Sequence, residues 1–201
     1  MRRSVGILGS TGSVGVNALE VLRRHCDRYS VEYLSANSNS ERLIHQAVDM
    51  KPEVVAIIDA KAAESVRDAL KEHSVEVLAG REGLLELASR NDVDICLNAL
   101  VGSAGMEPTV RAMVAGVDVA LSNKESLVMA GRIITEIIER KGVKLIPVDS
   151  EHSAIFQCLK GEQSATVKRI ILTGSGGPFR TRPIDQFSNV TVDEALVHPN
   201  W

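Results

Sequence analysis

The chain has 201 residues, 44% of them hydrophobic, enough to bury the core of one domain or one and a half. Aromatic residues make up only 3%, so that core has to be aliphatic. Lys and Arg number 23 against 26 Asp and Glu, a net charge of −3 with neither sign gathered into a long block, which argues against a nucleic-acid or membrane-surface role.

The first element runs from Ser4 to Gly15. Val5, Ile7 and Leu8 read as a buried strand, and Val14, Ala18, Leu19 and Leu22 recur at helical spacing up to His25. Between them Gly9, Gly12 and Gly15 stand three apart. Glycine at such places lets a turn tighten, a phosphate approach the backbone, and the helix pack on the strand. The free N–H groups and partial positive charge of the helix start then suit a pyrophosphate. The spacing is G-x-x-G-x-x-G rather than G-x-G-x-x-G, and the same residues also read as a ligand-free glycine turn.

Downstream, Val31–Ser35 reads as a second strand, Ser40–Met50 as a helix with Leu43, Ile44 and Ala47 inward, Val54–Ile58 as a third strand, and Ala60–Glu72 as a helix. A fourth strand falls near Val75–Leu78, followed by a helix from Arg81 to about Ser89. Val93–Leu100, Val117–Leu121 and Val143–Val148 give three more strands, with helices at Glu107–Ala115 and Glu125–Arg140 between them. In the last helix Ile133, Ile134, Ile137 and Ile138 mark the core face, and Glu136 and Arg140 stand one turn apart. Strands and helices alternating in this way predict an α/β fold, a doubly wound Rossmann-type parallel sheet with right-handed crossovers. From Val167 the pattern changes. Val167–Leu172 alternates partly and reads as a strand of a second layer, running into Thr173-Gly174-Ser175-Gly176-Gly177-Pro178, a loop suited to phosphate or diol binding or to a plain glycine-proline connection. The predicted division is 1–149 as the doubly wound Rossmann-type sheet and 150–201 as the beginning of a second, α+β domain.

Cys26, Cys96 and Cys158 are odd in number, widely spaced and form no C-x-x-C pair, which argues against a disulfide framework or a thiolate metal site and fits a reducing cytoplasm. No apolar run reaches bilayer length, and Met1-Arg2-Arg3 leads into a strand rather than a signal peptide.

In an open α/β sheet, ligands gather at the carboxyl ends of the strands. After the second strand the chain reads Ala36-Asn37-Ser38-Asn39-Ser40-Glu41-Arg42. No acid stands where an NAD enzyme would place one on the ribose hydroxyls, and the neutral donors plus Arg42 favour NADPH over NADH; Asn37, Ser38 and Asn39 also suit a turn and a helix cap. After Leu121 come Ser122-Asn123-Lys124-Glu125, and after Val148 come Asp149-Ser150-Glu151-His152. Two carboxylates flanking a hydroxyl suit Mg²⁺ or Mn²⁺, and Lys124 suits an anionic substrate oxygen. Both clusters equally suit charged helix starts.

Taken together, Gly9–Gly15, Leu121–Val128, Val148–Gln157, Leu172–Arg180 and His198-Pro199-Asn200-Trp201 resemble, in order, the successive motifs of the 1-deoxy-D-xylulose 5-phosphate reductoisomerase family. The resemblance covers essentially the whole chain and about the first half of the family's usual length. It implies an NADPH- and Mn²⁺- or Mg²⁺-dependent oxidoreductase of the non-mevalonate isoprenoid pathway. Such an enzyme rearranges its phosphosugar substrate to a branched aldehyde phosphate and reduces that to 2-C-methyl-D-erythritol 4-phosphate. It further implies that Thr11, Gly12, Ser13 and Val14 cradle the pyrophosphate, that Asn37, Ser38 and Asn39 hold the adenosine ribose phosphate, and that Asn123 and Glu125 line the cofactor site. Asp149 and Glu151 match metal ligands, and Lys124, Ser150, Glu151, Ser175 and His198 match substrate contacts, with Lys124, Glu151 and His198 in catalysis. Trp201 matches the aromatic residue of a mobile loop. A cytoplasmic homodimer is implied as well.

By the same resemblance, a third acidic metal ligand, the rest of that loop, the substrate-phosphate group and a helical domain would lie beyond Trp201. The expectation for these residues by themselves is NADPH binding with little or no turnover. Two other readings stay open: another dinucleotide-dependent dehydrogenase of the aspartate-semialdehyde type, which needs a catalytic cysteine although none of Cys26, Cys96 and Cys158 is placed in a loop with a partnering base, and a non-catalytic NADPH-binding module.

Overall fold

Strand β1 (Arg3–Leu8) is buried from Val5 onward, and in a computed structural model that describes residues 2–174 and 177–197 it becomes the centre of a sheet. The strands that join it are β2 (Tyr29–Ala36), β3 (Val54–Ile57), β4 (Glu76–Ala79), β5 (Ile95–Asn98), β6 (Asp118–Leu121) and β7 (Leu145–Pro147). They form one seven-stranded sheet in the order β4-β3-β2-β1-β5-β6-β7, with every pairing parallel. The chain therefore builds outward from β1 to β4, then returns to the other side of β1, and the order reverses between β1 and β5. Register keeps the carboxyl ends level there: Leu8 faces Asn98, Asn98 faces Leu121, and Leu121 faces Pro147.

Helices α1 (Ser13–Arg24), α2 (Ser40–Met50), α3 (Ala63–Leu70), α4 (Gly80–Ala88), α5 (Met106–Val114) and α6 (Glu125–Lys141) alternate with the strands. Period-2 alternation sends successive strand residues to opposite faces. Val5 and Ile7 join Leu19, Leu43, Ala47, Val66 and Leu70 on one face, and Leu8 joins Leu84, Leu87, Met113, Ile134 and Ile137 on the other. Among the described residues the aliphatic core has one aromatic exception, Tyr33, whose ring lies across Gly6; a Cβ on Gly6 would stand 1.9 Å from Tyr33 Cζ. Burial pushes the Tyr33 hydroxyl well above the usual tyrosine range and the adjoining Cys96 thiol up to about 11.

Several expectations need correction. Ile133 is 53% exposed while Ile134 and Ile137 are buried. The face of α6 that meets the sheet runs Ser126, Ala130, Ile134 and Ile137, and Ile133 falls one position off that stripe. Glu136 accepts from Arg132 Nε at 3.0 Å, so its bond runs toward the N-terminus and not to Arg140. Helix α3 begins three residues later than expected, because Ala62 N–H donates to Asp59 O and Lys61 N–H to Asp59 Oδ1 in a turn. Val167–Leu172 takes no regular structure and pairs with no strand among the described residues.

Contacts divide the chain into two units, Met1–Asp149 and Ser150–Trp201. The second contains α7 (Ser150–Leu159), three short 3₁₀ turns and α8 (Val192–Leu196), with no buried side chain among its described residues. Its local order comes from a capping box between Thr191 and Glu194, an Arg182–Glu194 ion pair at 2.9 Å and the rings of Phe179 and Phe187 at 6.1 Å. No helix of the described residues is long and apolar enough to cross a membrane.

Candidate dinucleotide site at the carboxyl edge of the sheet

The turn after β1 is fixed from three sides. Gly9 adopts φ +84°, and a Cβ there would stand 2.9 Å from Ala99 O, so the β1 and β5 exits nearly touch. Gly9 N–H donates to Ser35 Oγ at 3.0 Å and Ser10 N–H to Ser35 O at 2.8 Å, tying the turn to β2. The Ser10 side chain turns inward, with Oγ 2.7 Å from Gln46 Oε1, while Gln46 Nε2 donates to Ser10 O at 2.9 Å and ties the turn to α2. Gly15 is where helix meets turn: a Cβ there would stand 2.4 Å from Gly9 O.

Gly12 differs from these two. A Cβ there would meet only Gly9 O at an ordinary 3.5 Å, so packing makes little demand for glycine. Gly12 is also the N-cap of α1, with no side-chain cap and no acid in the first turn. Thr11 and Val14 are half-buried, and Gly12 and Ser13 are exposed. The turn thus presents uncapped backbone donors at the positive end of a helix, an arrangement that fits an anionic pyrophosphate.

On one side of the turn lies the loop after β2, where Asn37, Ser38 and Asn39 are exposed. Asn39 Oδ1 accepts from Arg42 N–H at 3.0 Å, making Asn39 the N-cap of α2. Arg42 Nη1 donates to Thr11 O at 3.1 Å, which brings a guanidinium to the join between this loop and the glycine turn. On the other side, Lys124 and Glu125 open α6 and are exposed. Asn123 is 2% exposed: its Nδ2 donates to Leu100 O at 2.7 Å and Gly102 O at 2.6 Å, and its Oδ1 accepts from Ser126. Its amide is therefore engaged within the protein. Asp149 follows β7, whose exit stays level with β6 because Val148 N–H donates to Leu121 O at 2.9 Å.

In the second unit Ser150 Oγ donates to Glu151 Oε2 at 3.0 Å in the first turn of α7. No group of three or more His, Cys, Asp and Glu side chains able to hold a metal ion gathers among the described residues. Carboxylates and hydroxyls such as those of Asp149, Ser150 and Glu151 are oxygen donors of the kind Mg²⁺ or Mn²⁺ takes. Ser175, His198 and Trp201 lie outside the described residues. Sequence reading missed the polar residues that shape the edge from beneath: Ser10, Ser35, Asn98, Thr109 and Ser126, all buried. The available signal was a polar residue closing an apolar run, as Asn98 does after Ile95-Cys96-Leu97.

A doubly wound parallel sheet whose order reverses beside an uncapped glycine turn defines a Rossmann-type fold. Comparison with known proteins narrows the class. A family model for 1-deoxy-D-xylulose 5-phosphate reductoisomerase matches residues 5–131, and one for that enzyme's C-terminal domain matches residues 145–201. The chain is 49% identical over 199 residues to the reductoisomerase of Chloroherpeton thalassium, covering 99% of this chain and 51% of that protein. It is 46% identical over 199 residues to that of Chlorobaculum tepidum, covering 99% and 52%. The Zymomonas mobilis reductoisomerase in complex with NADPH superposes with a TM-score of 0.87 at 41% identity, over 99% of this chain and 52% of that one. A reductoisomerase holding NADPH, fosmidomycin and magnesium gives 0.82 at 36% identity, again over 99% and 52%. The chain belongs to the 1-deoxy-D-xylulose 5-phosphate reductoisomerase family, and it spans about half the length of the curated relatives it matches.

Proposed function

We propose that these residues bind NADPH and serve the NADPH- and metal-dependent conversion of 1-deoxy-D-xylulose 5-phosphate to 2-C-methyl-D-erythritol 4-phosphate. The observation that carries the reading is the glycine turn with its uncapped α1 donors, within a stretch matched at 5–131 to a family that has an NADPH-bound member. Bound NADPH supplies the hydride, and a bound divalent cation polarises substrate oxygens.

The chain's own residues divide the remaining work. Thr11, Gly12, Ser13 and Val14 cradle the pyrophosphate: Thr11, Ser13 and Val14 through backbone N–H groups, and Gly12, whose own N–H donates to Gly9 O at 3.2 Å, by leaving room for the phosphate to approach. Asn37, Ser38 and Asn39 hold the adenosine ribose phosphate, with Asn39 acting through its backbone because its side chain caps α2. Arg42 neutralises the 2′-phosphate from its anchor on Thr11 O. Glu125 borders the cofactor. Lys124 meets an anionic substrate oxygen, Asp149 and Glu151 offer carboxylates to the cation, and Ser150, Ser175 and His198 contact the substrate while Trp201 covers it. The 1–149 segment is the NADPH domain and 150–201 begins the catalytic one. The reading extends to a cytoplasmic homodimer acting on a phosphosugar.

The test is a fluorescence titration of the chain with NADPH, followed by NADPH oxidation with 1-deoxy-D-xylulose 5-phosphate with and without Mn²⁺. Saturable NADPH binding supports the cofactor half, and absence of binding overturns it. Metal-dependent oxidation establishes the reaction for these residues; binding without oxidation assigns them cofactor binding alone. Asp149→Ala or Glu151→Ala should weaken Mn²⁺ binding, and an unchanged Mn²⁺ affinity in both would reduce the chain to a dinucleotide-binding module.

A further inference from the structure

We infer that Asn98 and Asn123 are positioning residues that hold the Leu100–Gly105 loop in shape for the nicotinamide half of the dinucleotide, an inference that rests on the cofactor reading above. The loop leaves β5 at the point where the strand order reverses and runs beside the glycine turn, since a Cβ on Gly9 would stand 2.9 Å from Ala99 O and 3.3 Å from the Leu100 side chain. With the phosphates at that turn and the adenosine end toward β2, the other half of a dinucleotide must extend over the exits of β5 and β6. This loop leaves the first of those exits and is bonded by Asn123, two residues past the second.

Six residues without sheet or α-helix pairing carry carbonyls that need partners. Two buried side-chain amides supply three of them, those of Leu100, Gly102 and Gly105. Asn98 Nδ2 donates to Gly105 O and to Thr109 Oγ1, each at 2.8 Å, and its Oδ1 accepts from Leu100 N–H at 3.1 Å. Thr109 Oγ1 in turn donates to Gly105 O at 2.9 Å. Asn123 reaches from the end of β6 to Leu100 O and Gly102 O, and its Oδ1 is held by Ser126 N–H at 2.9 Å and Ser126 Oγ at 2.7 Å. The loop is thus pinned at its start, middle and end. Gly105 closes the packing, since a Cβ there would stand 2.8 Å from Asn123 Nδ2. The polar residues are almost fully buried, yet the loop they pin keeps Val101 84% exposed. A rigid loop with an apolar side chain held in solvent beside a phosphate-binding turn is the shape of a ligand wall, and Asn123 serves the cofactor by shaping that wall rather than by touching it.

The experiment compares two ligands on the 201-residue chain: NADPH, which needs both halves of the crevice, and adenosine 2′,5′-bisphosphate, which needs only the adenosine end. In Asn123→Ala the NADPH affinity should fall about tenfold, the effect of one buried hydrogen-bonding group lost, while the bisphosphate affinity stays within about twofold. A folded variant in which both ligands weaken together, or in which neither does, overturns the inference. Where Asn123→Ala does not fold, Ser126→Ala takes its place; it keeps both amide donors and removes one brace on Asn123 Oδ1, and it should show the same selective loss on a smaller scale. Wild-type chain that binds neither ligand would refute the cofactor reading itself, and wild-type chain that binds the bisphosphate as tightly as NADPH would refute only the loop's part in it.

Discussion

Between Met1 and Asp149, polar side chains are held by burial: Ser10, Ser35, Asn98, Thr109, Asn123 and Ser126 are inside and bonded to backbone or to one another. Between Ser150 and Trp201, no described side chain is buried, and order comes from local contacts such as the Thr191–Glu194 capping box, the Arg182–Glu194 ion pair and the Phe179–Phe187 ring pair. The first unit fixes its site groups through a packed sheet, where a misplaced atom is resisted by many neighbours. The second relies on short, local and solvent-screened contacts, which contribute little individually. Changes of similar size should therefore register very differently in the two units.

The largest combined effect on stability and binding is expected where helix and turn meet. Gly15→Ala places a Cβ 2.4 Å from Gly9 O and 2.5 Å from Ser10 Cα, both backbone atoms that cannot turn aside. The expected loss is about 3 kcal/mol in urea unfolding, together with loss of NADPH binding. Gly161→Ala, at φ +90° in the second unit with nothing near its Cβ, should cost about 1 kcal/mol from backbone strain alone. Equal losses in the two variants would erase the contrast between the units.

Next in size is a pH effect confined to the first unit. The Cys96 thiol, ordinarily near 9, is pushed by burial to about 11 in the folded chain. Its folded pKa is raised, so its contribution is complete below about pH 9, where the thiol is protonated folded or unfolded, and is lost as pH climbs toward 11. Stability should fall by about 2 kcal/mol across that window. Tyr33, raised for the same reason, adds in the same direction. Cys96→Ala should give a shallower decline in urea midpoint from pH 8.5 to 10.5, and an unchanged slope would show that the thiol is not kept protonated by the fold.

A smaller effect separates the ends of the crevice. Arg42 is exposed and touches the glycine turn only through Thr11 O, so Arg42→Ala should leave stability nearly unchanged. It should weaken NADPH about tenfold, through loss of a charge-assisted bond to the 2′-phosphate, and leave NADH unaffected. Equal loss of both nucleotides would place Arg42 on the pyrophosphate instead.

Much of this was legible in the residues. Helix α2 begins and ends where its pattern said, because Asn39 caps it and Leu43 and Ala47 recur at the helical period. The seven strands were legible because each carries apolar residues between turn-forming stretches, although β5 and β7 are shorter than expected, Ile95–Asn98 against Val93–Leu100 and Leu145–Pro147 against Val143–Val148. The network beneath the loop was not: Asn123 finds its partners 23 and 21 positions back, at Leu100 and Gly102, and local patterning carries no trace of a bond formed only when β5 and β6 lie side by side. Glu136 had two arginines at one-turn spacing, and which one it takes is set by side-chain geometry that spacing does not contain. Val167–Leu172 has a strand's composition but no strand beside it among the described residues, and composition alone does not supply a pairing partner.

That last segment also supplies the smallest expected effect and the sharpest check on the contrast. Ile170 and Ile171 are 58% and 66% exposed, whereas Ile134 is 1% exposed. Truncating Ile134 to Ala removes methyl groups from a packed core and should cost about 2–5 kcal/mol. Ile171→Ser removes a side chain that already meets water, so the unfolding free energy should shift by less than about 0.5 kcal/mol. The pair isolates burial from residue type, since both begin as isoleucine. A loss above about 1 kcal/mol at Ile171 would mean that this apolar stretch is covered in solution, and the second unit would then have a core of its own.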